Sequence, residues 1–455
     1  MVAATASGAG KTTATVALVA AMRARGLRVA AFKCGPDYLD PTYHERAAAA
    51  RSHNLDGWMM GRDAVLATFA RASRGFDIAI IEGMMGLFDS AAPTSDEGSS
   101  AEIAKWLRAP VMLVVDASAM ARSVAAIALG YAQFDPGLNL AGLICNRVGS
   151  RGHLELLRQA STRIPVAGGF PAAPDLAFPE RHLGLHAANA ESLPESSIRD
   201  WAGLAAEWLD LDAILAIARS APALVGVETP AAQNAPDEVR CRLGVALDDA
   251  FHFYYEDNLA RLRALGAELA NFAPSHDARL PDVDGLYFGG GYPEALAQRL
   301  SENRPMLDAV RAFARSGRPV YAECGGLMYL SEALRTLDGV TWPMAGILPG
   351  VAVMSEHLQA LGYVEVETRA ESILGPAGIR FRGHQFRYST LEDAEPGGTV
   401  ERIYSVRPRW GGNAFAEGYR TGNVVGSYVH AHWASNPRCA EEFVAACARN
   451  RTRKS

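Results

Sequence analysis

Between residues 1 and 150, short apolar runs alternate with Ala- and Leu-rich amphipathic stretches. Leu27–Phe32, Ile78–Glu82, Val111–Asp116 and Leu140–Asn146 are the runs that read as buried strands. Strands apolar on both faces and separated by helical stretches predict a parallel sheet covered by helices. A second series of this kind begins at Arg242–Leu247, continues through Gly285–Gly289 and Pro319–Glu323, and ends at Val424–His430. Between the two series, Ser220–Glu238 is rich in Pro and Ala and carries neither period, which is how a linker reads. The pattern predicts an α/β chain of two domains, residues 1–220 and 240–455, joined by 221–239 with the boundary near residue 235.

The length of 455 residues agrees, because one hydrophobic core rarely supports so long a chain. With 44 Lys and Arg against 50 Asp and Glu, the net charge of −6 offers no general positive field. Nucleic acid and anionic membrane are therefore disfavoured as partners. The cluster Arg449, Arg451, Arg453 and Lys454 reads as a solvated tail. Six cysteines without a CxxC spacing predict a reducing compartment, with the cytoplasm as default. No apolar run approaches the roughly 18 residues of a spanning helix, and the start enters a Gly-rich motif at once, so neither membrane span nor signal peptide is expected.

Residues 4–13, ATASGAGKTT, form a Gly-containing turn between a short strand and an Ala-rich helix. Backbone N–H groups around Gly8 and Gly10 would face phosphate oxygens, with Lys11 adding charge and Thr12 a magnesium ligand. The full phosphate-loop pattern has a Gly where this chain has Thr5, so the match is a variant. Two loops at strand ends add carboxylates of the kind magnesium takes in phosphoryl transfer. Lys33–His44 (KCGPDYLDPTYH) presents Asp37, Tyr38 and Asp40, and Ile81–Asp89 (IEGMMGLFD) presents Glu82 and Asp89. A lone Asp at a strand end is more often a helix cap, and four such acids on two loops argue for a site. Asp116 and Asn146 end two further strands, and the amide of Asn146 could meet an adenine edge. Pro179–Leu185 (PERHLGL) sets Arg181 and His182 among structured pieces, with no chemistry legible from them alone.

Pro319–Leu330 (PVYAECGGLMYL) runs from an apolar strand through Glu-Cys-Gly-Gly into a helix. Such a turn makes a nucleophile elbow, and a helix N-terminus beside Cys324 should favour the thiolate. Ser427–Trp433 (SYVHAHW) supplies a base: His430 and His432 fall on one side of a strand, and His430 is preferred. Backbone N–H groups of Phe288–Gly291, notably Gly290 and Gly291, together with Gly325 could hold an oxyanion.

Together these motifs resemble the cobyrinic acid a,c-diamide synthase family, the glutamine-dependent amidotransferases of corrin-ring biosynthesis. SGAGKTT, KCGPDYLDPTYH, NLDGWMM (54–60), IEGMMGLFD, PERHLGL, GGGYPE (289–294), AECGG and SYVHAHW follow the family's order across nearly the whole chain. The resemblance implies a dethiobiotin-synthetase-like ATP half and a class I glutaminase half. It places ATP and magnesium at Lys11, Thr12 and Thr13. It makes Lys33, Asp37, Tyr38, Leu39, Asp40 and Asp89 substrate-binding, with Thr12, Asp37 and Glu82 for the metal, and it makes Cys324 the nucleophile and His430 its base. L-glutamine and a corrin polycarboxylate are then the substrates, and a homo-oligomer is compatible with the reading. Where class I triads carry an acid two residues after the base, this chain has His432, which implies a Cys–His dyad. The family's GHEFHY-like segment stands here as Gly383–Tyr388 (GHQFRY). Rival readings are hydrogenobyrinic acid or a nickel tetrapyrrole as substrate and, in another class, a partitioning ATPase switch of the deviant P-loop group.

Overall fold

A computed structural model of the chain describes all residues except 91–92, 173–187, 189–191, 225–237, 393–399 and 452–455. The chain divides into two compact units, Met1–Ala232 and Gln233–Ser455. Among the described residues no helix is long and apolar enough to cross a membrane.

In the first unit, strands and helices alternate as β1 (Val2–Ala4), α1 (Lys11–Ala24), β2 (Val29–Cys34), α2 (Asp40–Ala48), β3 (Ser52–Leu55), α3 (Gly57–Ala72), β4 (Ile78–Glu82) and α4 (Ser100–Leu107). They continue as β5 (Val111–Asp116), α5 (Ser123–Phe134), β6 (Leu140–Val148), α6 (Arg151–Ala160), β7 (Val166–Pro171), α7 (Glu195–Trp208) and α8 (Leu211–Arg219). The seven strands pair in the order β3-β2-β4-β1-β5-β6-β7, all parallel. The apolar runs read as strands are strands, each buried along most of its length. The first strand is short, yet it is the centre of the sheet, pairing Val2 with Glu82 on one side and Met112 on the other. The phosphate loop therefore leaves the sheet beside the ends of β4 and β5, the place where open α/β sheets bind ligands.

The second unit opens with β8 (Cys241–Ala246), α9 (Glu256–Ala264), β9 (Ala267–Phe272), β10 (Gly285–Phe288), α10 (Ala297–Glu302), α11 (Arg304–Arg315), β11 (Val320–Glu323) and α12 (Gly325–Leu330). Shorter strands follow: β12 (Ala333–Arg335), β13 (Thr341–Pro343), β14 (Val351–Met354), β15 (Ala360–Thr368), β16 (Arg380–Arg387), β17 (Ser389–Glu392), β18 (Glu401–Pro408) and β19 (Phe415–Thr421). The chain closes with β20 (Val424–Ser427), β21 (His430–His432) and α13 (Arg438–Arg451). Ten strands form one sheet, β21-β16-β15-β18-β19-β20-β11-β10-β8-β9, and four form another, β13-β12-β14-β17. From β20 to β9 the large sheet is parallel, and from β20 to β21 it is antiparallel.

Val424–His430 was expected as one strand and is two. Glu417 takes the Ser427 hydroxyl at 2.5 Å and the Tyr428 amide at 2.7 Å, so the backbone leaves the ladder there. The chain then re-enters the sheet at its far edge, where His430 pairs with His384 of β16.

Candidate functional site

The first unit gathers its chemistry where β1, β2 and β4 end. Gly8 and Gly10 take left-handed φ values of 77° and 99°, and Gly10 leads straight into α1. A Cβ on Gly10 would lie 2.1 Å from Asn146 Nδ2, so no larger residue fits. The Asn146 side chain donates through Nδ2 to the carbonyl of Ala9 at 3.0 Å, which latches the loop to the end of β6. Lys11 Nζ bridges the carbonyls of Ala6 at 3.3 Å and Met85 at 2.5 Å, across the loop. Thr5 continues the ladder through its amide to Val114 at 3.2 Å and accepts from the Tyr131 hydroxyl at 3.0 Å, so the turn closes without a Gly at that position. Thr13 lies half-buried in the first turn of α1.

Behind the loop lies a buried charge cluster. Thr12 Oγ1 donates to Glu82 Oε1 at 2.8 Å and lies 3.5 Å from Asp40 Oδ2. Lys33 Nζ sits 2.7 Å from Asp40 and 2.8 Å from Glu82, with all three side chains almost fully buried. Burial alone would depress the Lys33 ammonium, but Asp40 and Glu82 outweigh it and hold it above its usual value. Lys33 was expected to meet substrate; here its charge is consumed by the two carboxylates. His44 Nε2 meets the other oxygen of Glu82 at 2.6 Å, and its Nδ1 lies 3.4 Å from the Ser52 hydroxyl. Sequence reasoning gave His44 no role, although it stands one helical turn after Asp40, on the same face of α2.

The carboxylate brought to Thr12 and Glu82 is Asp40, where Asp37 had been assigned to the metal. Asp37 Oδ1 instead accepts the amides of Leu39 at 2.8 Å and Asp40 at 3.0 Å, the capping use of an acid before a helix. Asn54 pins this loop through the carbonyls of Gly35 and Asp37, which places Tyr38 in a buried position. Asp56, also of the NLDGWMM stretch, caps α3 by accepting from the Met59 amide at 2.7 Å. Asp89 is exposed and accepts from the Gly86 amide at 2.7 Å, and Asp116 pairs with Arg147 at 2.5 Å. Arg181 and His182 lie outside the described residues. Among the described residues no group of three or more His, Cys, Asp and Glu side chains is arranged to hold a metal ion by itself.

In the second unit, Cys324 sits between β11 and α12 with φ 46° and ψ −102°, a conformation that costs a non-glycine residue about 1–3 kcal/mol. Its neighbours must be small. A Cβ on Gly325 would lie 2.9 Å from Pro293 Cδ and 3.1 Å from the Gly291 amide nitrogen, and one on Gly326 would lie 2.6 Å from the Phe288 carbonyl oxygen. The Cys324 amide donates to Ser427 at 2.7 Å, three residues before His430. The His430 ring covers Gly290, where a Cβ would come within 2.4 Å of its Cε1. The expected nucleophile, base and oxyanion glycines are thus packed in one place. His432 lies against Tyr255 with ring centroids 4.6 Å apart, and its Nδ1 accepts from the Ala434 amide at 3.3 Å.

The thiolate expectation fails. Burial, with the carboxylate of Glu294 second, pushes the Cys324 thiol up to about 12, against smaller opposing effects of Arg387 and the Gly325 amide. Burial likewise pushes His430 down to about 3, so the resting pair is thiol and neutral imidazole. His384 stacks on His430 at 4.9 Å with its Nδ1 at 3.0 Å from the Tyr255 hydroxyl, and burial lowers it well below the usual range too. Glu323, the residue before the nucleophile, is equally enclosed. It accepts from the Ala431 amide at 3.1 Å, Tyr321 at 2.9 Å and Tyr287 at 3.1 Å, tying β21 to β11, and burial raises its carboxyl to about 7.

A phosphate loop with buried carboxylates in one unit and a thiol elbow in the other define a nucleotide-binding amidotransferase. Residues 1–184 match the family model of the CobQ/CobB/MinD/ParA nucleotide binding domain, and residues 242–438 match that of the CobB/CobQ-like glutamine amidotransferase domain. The cobyrinate a,c-diamide synthase of Leptospira interrogans serogroup Icterohaemorrhagiae serovar copenhageni (strain Fiocruz L1-130) is 51% identical over 98% of this chain and 97% of its own length. Those of Syntrophotalea carbinolica and Listeria monocytogenes serotype 4b are 47% identical over 98% of both chains and 41% identical over 96% of both. The chain belongs to the cobyrinate a,c-diamide synthase family. The partitioning-ATPase reading falls, since the relatives match through the amidotransferase half as well.

Proposed function

We propose that the chain catalyses the ATP- and glutamine-dependent amidation of the a- and c-acetate carboxylates of cobyrinic acid. One observation carries the reading: the strained Cys324 turn, seated against the Gly291 amide, in a chain that also bears a phosphate loop. In the second unit, Cys324 Sγ attacks the side-chain amide carbon of glutamine while its proton passes to His430. The imidazolium returns that proton to the leaving nitrogen, giving ammonia and a γ-glutamyl thioester, which water hydrolyses to glutamate. Gly291 and Gly325 supply amides for the oxyanion, with Gly290 leaving room for the imidazole.

In the first unit, ATP transfers its γ-phosphoryl group to an acetate oxygen, because a carboxylate does not accept ammonia without a leaving group. Ammonia then displaces phosphate and leaves the amide, and two such cycles give the diamide. Lys11 and the amides at the start of α1 hold the phosphates. Magnesium fits the same place. Thr12, Glu82 and Asp40 converge as three hard oxygen donors at the start of α1, few enough that water and phosphate would complete an octahedron. When bound there, the ion would neutralise phosphate charge. Asp37, Tyr38 and Leu39 shape the loop beside it, and Asp89 borders the loop facing Lys11. We assign the ATP half to residues 1–220 and the glutaminase half to 240–455. Six free buried cysteines support a cytoplasmic setting.

The test is Cys324→Ala assayed with glutamine and, separately, with ammonium salt. Amidation should vanish with glutamine and persist with ammonium; survival with glutamine overturns the assigned nucleophile. Glu82→Ala should abolish amidation and spare glutamine hydrolysis, and equal loss of both would overturn the division of labour.

A further inference from the structure

Two charged groups of opposite sign adjoin Cys324 and have no part in the steps above. Glu294 lies in the single helical turn Pro293–Leu296, directly after the oxyanion glycines, and Pro293 of that turn packs on Gly325. Burial raises the Glu294 carboxyl to about 7, opposed only by its own backbone N–H, and no side chain among the described residues bonds to it. Arg387 ends β16. Its guanidinium lies 4.5 Å over the Tyr428 ring and donates through Nη1 to the Ser389 carbonyl, while its Nε is buried with no partner among the described residues. Ser389 in turn contacts Met328 Sδ of α12 at 3.6 Å and the Tyr428 hydroxyl at 3.2 Å, which fixes Arg387 beside the helix that Cys324 begins. After burial, Glu294 and Arg387 are the two strongest influences on the thiol, and they act in opposite directions. Glu417 also feels Arg387, but its two oxygens are occupied by Ser427 and Tyr428.

A carboxylate whose one donor is its own backbone N–H and a guanidinium with an unused N–H both call for a partner. An amino acid bound by its side chain at Cys324 brings an ammonium and a carboxylate into the same pocket. We propose that Glu294 and Arg387 form a two-charge clamp for the α-ammonium and α-carboxylate of the glutamine whose amide meets Cys324. The clamp rests on the glutaminase reading and extends it to substrate recognition. Arg387 stands in the Gly383–Tyr388 segment, GHQFRY.

The experiment measures hydrolysis of three amides: L-glutamine; glutaramate, which lacks the α-ammonium; and 4-aminobutanamide, which lacks the α-carboxylate. Glu294→Gln should raise KM for glutamine roughly 10- to 100-fold, the range of a charge-assisted hydrogen bond, and leave KM for glutaramate within about twofold. Arg387→Gln should do the same for glutamine and spare 4-aminobutanamide, and Arg387→Lys should restore part of the loss. An equal loss on all three amides in both variants, or an unchanged KM for glutamine, overturns the clamp. A full-length wild type that releases no glutamate from glutamine overturns the glutaminase reading, and the clamp with it.

Discussion

The two sites solve the burial of polar groups in opposite ways. In the first unit Lys33, Asp40 and Glu82 are all below 5% exposed in their side chains, and the Lys33 ammonium is held above its usual value by the two carboxylates it meets at under 3 Å. In the second unit Cys324, His430, His384 and Glu323 are just as enclosed, and burial is the largest influence on each, driving them toward their neutral forms. The difference suits the two chemistries. A site for phosphates and metal must hold charge ready, whereas a thiol attacking an amide needs a base that is unprotonated and a charge that appears only as bonds change.

The first way to break this contrast is Lys33→Met. Leaving Asp40 and Glu82 buried without their cation should cost about 3–5 kcal/mol of stability. Denaturant unfolding would measure it, and a loss below about 1 kcal/mol would mean that the carboxylates are satisfied by something other than Lys33.

Glu323 sharpens the contrast through pH. An acid whose pKa rises from 4.5 unfolded to about 7 folded binds more protons in the folded state between those values. Its contribution to stability is therefore greatest below the unfolded value and falls as pH climbs through about 7. The span corresponds to roughly 3 kcal/mol, and Glu323→Gln should flatten that decline in unfolding free energy. An unaltered slope would show that another group is responsible.

The second site also depends on shape, where the first depends on charge. Gly290→Ala would place a methyl 2.4 Å from His430 Cε1 and force the imidazole aside. A displacement of about 1 Å at a base costs on the order of 10²-fold, so kcat for glutamine hydrolysis should fall by that factor while ammonium-supported amidation holds. Equal losses in both assays would mean that the change unfolds the protein.

How much of this was legible in the chain follows from the same physics. Parallel strands buried on both faces appear as continuous apolar runs, and Ile78–Glu82, Val111–Asp116 and Pro319–Glu323 were readable for that reason. The antiparallel β15, β16, β18 and β19 were not, because their partly exposed, mixed sequences pair over long separations. At the sites, motifs carried Lys11, Thr12, Cys324 and His430. They could not tell Asp37 from Asp40, since either acid satisfies the spacing and only the helix start decides which becomes a cap. Nor could they show that Cys324 rests as a thiol, because that depends on enclosure by Pro293, Phe288 and Tyr428, which are distant in sequence.

The smallest expected effect tests that last point. Glu294 is the strongest charge acting on the buried Cys324 and opposes its ionisation. Glu294→Gln removes a negative charge from beside the thiol, which lowers the thiol pKa, so the rise of Cys324 alkylation by iodoacetamide with pH should move to lower pH. One pH unit is about 1.4 kcal/mol, and a shift of that order is expected because burial, which the substitution leaves in place, remains the larger cause. The same substitution tells charge from enclosure. If alkylation does not shift, desolvation alone sets the resting state of Cys324. If it shifts by several units, the second site is governed by charge after all, and the contrast between the two units reduces to one of sign.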